Sequence, residues 1–201
     1  MDRTRAFDSR PDLRQVAAWI DPGARVLDLG CGDGALLEWL VQHRDCSGYG
    51  VEIDDAQVIA CASRGVDVIQ QNIEQGLDMF GPRQFDVVVL SMAIMATQHT
   101  EHVVREMGRI GREAIISFPN FGHWRHLWAL ALGHMPKSTD LPYEWYDTPN
   151  LHLATLADFE VFLRKLGMTI VDACFLNEQG RQIRTLPGKR ASAAVYRFRA
   201  A

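Results

Sequence analysis

The chain has 201 residues, 47% of them apolar and 23% charged, with a formal net charge of −4. That length sustains a sizeable core, and the acidic balance argues against a nucleic-acid binder held by phosphate contacts. Its four cysteines, Cys31, Cys46, Cys61 and Cys174, form no C-x-x-C pair, so they suggest reduced thiols in a cytosol rather than a metal knuckle or a disulfide frame.

The N-terminal stretch M-D-R-T-R-A-F-D-S-R has no apolar core and does not read as a secretory signal. Pro11 to Ile20 reads as a first helix, with Leu13, Val16, Ala17 and Ile20 on one face. Ser9 is placed to cap it, with Asp12 three residues on, and Asp21-Pro22-Gly23 ends it. A strand over Val26 to Leu29 then runs straight into Gly30, Gly32 and Gly34, followed by a helical run from Ala35 to Val41. Glycines there let the backbone turn sharply and let a ligand approach without meeting a Cβ. The new helix presents unpaired N–H groups and the positive end of its dipole. Ser47 to Val51 is a second strand ending in Glu52, placed where a carboxylate can accept the ribose hydroxyls of an adenosine group. Turn, spacing and acid together outweigh the alternative of ordinary turn glycines and a surface glutamate, although Gly30-x-Gly32-x-x-Ala35 also fits the dinucleotide fingerprint.

Asp54 is expected to cap a helix through Ala62, stopped by Gly65. Val66 to Gln70 is a third strand leading into Gln71-Asn72-Ile73, where Asn72 is either a ligand contact or a turn residue. Phe85 to Leu90 is nearly all apolar, as suits a central parallel strand covered on both faces. Ser91 to Gln98 follows its carboxyl end, where ligands sit in open α/β sheets. Thr100 is expected to cap a helix to Ile110, and Glu113 to Phe118 is a fifth strand. Further on, Thr155 and Asp158 make a capping box for a helix carrying Phe159, Phe162, Leu163 and Leu166 on one face and stopped by Gly167. Met168 to Leu176 and Ala191 to Phe198 are the last two strands, joined by an exposed basic tip. Seven strands alternating with helices until a final hairpin describe one α/β domain over residues 1–201.

The connection from Pro119 to Ala154 is longer than such a link needs. Trp124, Leu127, Trp128 and Ala131 form an apolar helical stripe, too short to span a bilayer. Pro142, Tyr143, Trp145, Tyr146 and Pro149 form a stiff aromatic loop. The segment leaves the carboxyl edge of the sheet, so it is a lid, a substrate wall or a partner surface, or else a cap packed on the sheet. His99-x-x-His102 and His123-x-x-His126 lack the glutamate of a zinc protease motif, and no metal site is expected. His123 and His152 are the better candidates for polar contacts near the crevice.

D-L-G-C-G-D-G, from Asp28 to Gly34, resembles the first motif of the class I S-adenosylmethionine-dependent methyltransferases, and Y-G-V-E-I-D, from Tyr49 to Asp54, resembles their second. The resemblance implies a Rossmann-like, mostly parallel seven-stranded sheet with an antiparallel last strand, here with an inserted aromatic cap. It also implies that Asp28 and the loop of Gly30, Cys31, Gly32 and Gly34 hold the methionine part of S-adenosylmethionine or S-adenosylhomocysteine. Glu52, with Ile53 beside it, would take the ribose, Asn72 and the Ile73 backbone the adenine, and Ser91 would border the site. Many relatives that modify amino groups of nucleic acids or proteins carry Asn or Asp before Pro-Pro and an aromatic after strand four. Ser91-Met92-Ala93-Ile94 departs from that pattern and counts against those acceptors. No nucleophile with an adjacent base and no redox pair stands out.

With I-S-F-P-N-F-G-H-W-R and L-P-Y-E-W-Y-D-T-P-N-L-H added, the stretch from about Asp21 to Glu178 resembles the methionine biosynthesis protein MetW family. That resemblance implies a bacterial cytosolic protein acting alongside a homoserine O-acyltransferase; the acidic charge and the short apolar stripe separately argue against a nucleic-acid or membrane partner. Two functions follow from it: an activating or regulatory subunit whose pocket senses adenosylmethionine, or a working small-molecule methyltransferase. A nicotinamide-dependent enzyme ranks behind both.

Overall fold

The computed structural model describes residues 7–139 and 141–201. Its main elements are α1 (Pro11–Trp19), β1 (Arg25–Leu29), α2 (Ala35–Arg44), β2 (Ser47–Glu52), α3 (Asp55–Ser63), β3 (Val68–Gln70), β4 (Phe85–Ser91), α4 (Thr100–Ile110), β5 (Gly111–Pro119), α5 (Trp124–Ala131), α6 (Leu156–Lys165), β6 (Met168–Leu176), the short α7 (Pro187–Arg190) and β7 (Ala193–Ala200). The strands form one sheet in the order β3-β2-β1-β4-β5-β7-β6. β1 to β5 pair in parallel, and β7 runs antiparallel to both β5 and β6. This is the mostly parallel sheet with an antiparallel last strand expected from the sequence. The order reverses between β1 and β4, which is where an open α/β sheet leaves a crevice at its carboxyl edge.

Successive side chains of a strand face opposite sides, and β4 shows it directly. Val88 and Leu90 pack with Val103, Met107 and Ile110 of α4 and with Leu163 of α6. Val87 and Val89 pack on the other face with Val16 of α1 and Leu36 and Leu40 of α2. Both faces are covered, which is why F-D-V-V-V-L reads as an apolar run without polar alternation. None of the described helices is long and apolar enough to cross a membrane.

Local signals set several boundaries. Asp54 caps α3 by accepting from the Gln57 amide at 3.0 Å, and Thr155 caps α6 by accepting from the Asp158 amide at 3.3 Å. Gly65 and Gly167 follow α3 and α6 with φ of 74° and 73°, a conformation that favours glycine at a helix end. Several expected boundaries shift, among them the start of β3, which is Val68 and not Val66, and the span of β7, which is Ala193–Ala200 and not Ala191–Phe198. α1 has Arg10, not Ser9, at its N-cap and makes no side-chain cap, because Pro11 sets the first helical residue and Asp12 is drawn into the sheet edge. Thr100 lies inside α4, whose N-cap is His99. β5 begins at Gly111, so the residue that ends α4 also starts the strand.

Phe118 is fully buried, with its ring 4.5 Å from that of Phe159 and 6.0 Å from that of Tyr196. This aromatic group clamps α6 to β5 and β7. Phe118→Ala is expected to lower the unfolding free energy by roughly 3–5 kcal/mol in urea denaturation. A loss under about 1 kcal/mol would mean that the neighbouring rings collapse into the cavity.

Candidate functional site

The site is built where β1 stops. Gly30, Gly32 and Gly34 all have positive φ, 64°, 55° and 76°, but they serve different ends. A Cβ on Gly30 would lie 3.2 Å from the Cβ of Ala93, and one on Gly34 would lie 3.0 Å from the Cys61 sulfur. A Cβ on Gly32 would meet nothing within 4 Å. Gly32 therefore leaves open the space a ligand would enter, while the other two glycines let neighbouring elements close up. The Gly30 and Cys31 amides donate to the Val51 carbonyl at 2.8 and 3.2 Å, which pins the loop to β2. Cys31 contributes only backbone here. Its thiol is buried 3.7 Å from that of Cys61, which donates to the Gly32 carbonyl at 3.0 Å, and burial raises both thiols above their ordinary value, that of Cys31 strongly.

Glu52 ends β2 with its carboxylate turned onto the same loop. One oxygen accepts from the Gly32 amide at 2.9 Å, and the other accepts from Ile53 at 2.8 Å and Asp54 at 3.0 Å. Asp28, on β1, is 2% exposed, and its Oδ1 has no hydrogen-bond partner. Burial pushes this carboxyl up to about 7; Arg10 opposes the rise, and Glu52 and Asp12 add to it. A buried carboxylate oxygen without a partner is costly, and a cationic or N–H-bearing ligand is the group that would satisfy it.

Asp28, Gly30, Cys31, Gly32 and Ser91 line one cleft of about 490 Å³. Gly34 and Glu52 sit against it through the loop. Ile53, Asn72 and Ile73 are not among the residues that line it; Ile53 follows Glu52 and is 62% exposed, and the Gln71 amide ties the Asn72 turn to the Glu52 carbonyl at 2.9 Å. Asn72 makes the turn that was one of its two readings, its Oδ1 accepting from the Glu74 amide at 2.9 Å. A carbonyl oxygen holds a second lone pair, so that bond leaves capacity for another donor.

Sequence reasoning missed the other wall of the cleft. Asp12 is 3% exposed. It accepts from Arg10 at 2.7 and 2.8 Å, from Ser91 at 2.8 Å and from Ser117 at 3.0 Å. Burial pushes the Asp12 carboxyl up, but the Arg10 guanidinium and the two hydroxyls outweigh it and hold it below its ordinary value. This network joins α1 to the ends of β4 and β5. Met92, next along from Ser91, is one of four non-glycine residues with positive φ among those described, at 55°, a strain of the kind that gathers at functional sites.

Arg10 also borders a second chamber, of about 370 Å³, walled by Met92, by Pro142, Tyr143 and Asn150 of the insertion, and by Glu178. The insertion is thus a wall of the crevice on its inner side. A larger, wider cleft of about 780 Å³ lies between α4 and α6 and is lined by His99, His102 and His152 together with Ile94, Met95, Phe159 and Phe162. His123 is not a crevice residue as expected. It is buried and caps α5, its Nδ1 accepting from the Arg125 amide at 3.4 Å. Among the described residues no group of three or more His, Cys, Asp or Glu could hold a metal ion.

The methionine biosynthesis protein MetW model matches residues 10–197. The chain belongs to the MetW family. It is 35% identical over 201 residues to the bifunctional methionine biosynthesis protein MetXA/MetW of Rhodopirellula baltica, covering 93% of this chain and 32% of that one. It is 30% identical over 140 residues to nocamycin O-methyltransferase of Saccharothrix syringae, covering 61% of this chain and 50% of that one. The chain therefore spans a third to a half of the length of these curated relatives. Among solved structures, it superposes on an S-adenosylmethionine-dependent methyltransferase from Archaeoglobus fulgidus with a TM-score of 0.72 at 15% identity, over 96% of this chain and 93% of that one. The MetW fold here is thus the class I methyltransferase fold.

Asp12→Asn keeps the shape of the network but removes its charge. It should cost about 1–3 kcal/mol at neutral pH. Because folding lowers the Asp12 pKa, its contribution is present above the ordinary value of 3.8 and is lost as pH falls through the folded value. The stability gap between wild type and variant, measured by urea denaturation from pH 7 down to pH 3, should therefore narrow on acidification. A gap that stays constant would remove Asp12 from the acid-labile groups.

Proposed function

We propose that this chain binds S-adenosylmethionine in the glycine cleft and acts as an activating or regulatory partner of a homoserine O-acyltransferase. The observation that carries the partnership is the relative whose name joins MetXA and MetW in one chain, with MetXA read as the acyltransferase. The cleft supports the ligand. The partnerless Asp28 oxygen faces a pocket suited to the α-ammonium group, the space beside Gly32 admits the methionine part, and Glu52 keeps acceptor capacity for the ribose. Exposed Ile53 offers an apolar face to the adenine, with Asn72 and the Ile73 backbone at its edge.

Bound adenosylmethionine supplies a methyl group on a sulfonium. The residues around the adjoining chamber offer little to activate an acceptor. Asp12 is a weakened base, its carboxylate already accepting from Arg10, Ser91 and Ser117, and Glu178 pairs with Arg125 at 2.9 Å. No histidine, cysteine or lysine is among the described residues that line the chamber. That favours sensing over turnover. The second reading, methyl transfer to a small molecule, draws on the chamber itself and on the O-methyltransferase relative, since in-line transfer needs alignment more than a base.

The deciding measurement is the homoserine acylation rate of the cognate acyltransferase, without and with this protein, as adenosylmethionine is titrated. A rate that depends on the protein and responds to the ligand is expected. An unchanged rate would return the weight to methyl transfer, detectable as S-adenosylhomocysteine formation.

Ligand affinity should depend on pH through Asp28. A bound cation favours the carboxylate, so below about pH 7 the site must release a proton to bind. Affinity measured by calorimetry should fall about tenfold from pH 8 to pH 6, and Asp28→Asn should flatten that profile. A profile in wild type that is already flat would show that Asp28 does not hold the ammonium group.

A further inference from the structure

Within the insertion, apolar side chains face outward. Trp124, Trp128, Trp145 and Tyr146 are 53%, 63%, 70% and 71% exposed. The apolar helical stripe, which the sequence allows either as a partner surface or as a cap packed on the sheet, is the open face of α5, with Leu127 also 40% exposed. A second apolar surface is a groove of about 120 Å³ formed by Met135, Leu141, Trp145, Leu151 and Leu153, among others. Exposed tryptophan and tyrosine in one apolar patch are the composition of a protein contact. The insertion lies inside the residues 10–197 that the family model matches.

The groove also has a defined relation to the cofactor cleft. Tyr143 and Asn150 line both the inner chamber and the outer groove. Arg10 lines both the chamber and the glycine cleft. Cleft, chamber and groove are therefore separated by single residues, and a ligand that shifts Arg10, Tyr143 or Asn150 alters a wall of the outer surface. The insertion is anchored for this: the Leu151 and His152 amides both donate to the Met95 carbonyl beyond β4, at 2.8 and 3.1 Å.

We propose that the outward face of the insertion, α5 together with the groove at Trp145, is the seat of the homoserine O-acyltransferase, and that the shared wall of Tyr143 and Asn150 passes the ligand state of the crevice to it. This rests on the partnership proposed above. The occupant is the acyltransferase rather than a second copy of this chain because a MetXA/MetW relative carries the two modules in one chain. The insertion is also the surface joined to the ligand chamber, as a sensing subunit requires.

The test uses the full chain and its cognate acyltransferase. Trp128→Ser combined with Trp145→Ser alters two exposed side chains, so adenosylmethionine affinity and thermal unfolding should stay as in wild type. Affinity for the acyltransferase, by calorimetry or interferometry, should fall about thirtyfold or more. Asn150→Ala, at the shared wall, should weaken the complex far less than the double variant does, and at saturating acyltransferase it should reduce the response of the acylation rate to adenosylmethionine. If wild type does not bind the acyltransferase, the partnership itself fails. If wild type binds and the double variant binds equally well, the partnership stands and the surface assignment falls. If the double variant loses only a concentration-dependent self-association in sedimentation, the face belongs to a second copy, and the proposal is likewise overturned. If Asn150→Ala responds as wild type does, the shared wall does not carry the signal.

Discussion

The site depends on one carboxylate. Glu52 reaches from the end of β2 to the Gly32 amide in the loop after β1, and its other oxygen takes the amides of Ile53 and Asp54. Each bond to an ionised acceptor is stronger than a neutral one, and together they fix the separation of two adjacent strand ends. The glycine loop can leave the face of Gly32 open because its position is enforced from β2 and not by packing across the cleft. Removing this carboxylate would leave three amides without their acceptor, so any effect on the proposed ribose contact and its effect on loop geometry are inseparable.

Around that tie the structure divides labour. One set of groups is satisfied within the protein: Asp12 has a guanidinium and two hydroxyls, and the thiols of Cys31 and Cys61 face each other behind the loop. Another is left incomplete: Asp28 has an oxygen without a partner, and Ile53 an apolar side chain open to solvent. Two buried carboxylates near one crevice are therefore pushed in opposite directions, Asp12 down and Asp28 up. The difference arises from neighbours, since both are nearly inaccessible.

What was legible in the sequence was local. The glycine spacing, Glu52 at the end of the next strand, the Asp54 and Thr155 caps and the apolar β4 run each depend on residues close in the chain. Asp12, Ser91 and Ser117 were not legible as a group, because the strand order and α1 bring them together from distant positions. Ser9-x-x-Asp12 fits a capping pattern, yet the burial available at the ends of β4 and β5 claimed Asp12 for another role. Trp124, Leu127 and Trp128 were legible as one helical face. Periodicity says that a face is apolar, but it does not say whether sheet, solvent or partner lies opposite.

The hydrogen bond from Ser117 to Asp12 joins residues separated by 105 positions, and the chamber beside it takes Glu178 and Ser192 from the closing hairpin. The crevice is thus assembled from contacts of long sequence separation, which form against a large loop-closure entropy. A truncated chain that kept the glycine loop and Glu52 would keep the motif without the enclosure. Binding competence is consequently a property of the completed fold, and a ligand selective for that state draws the folding equilibrium of the entire chain towards it by mass action.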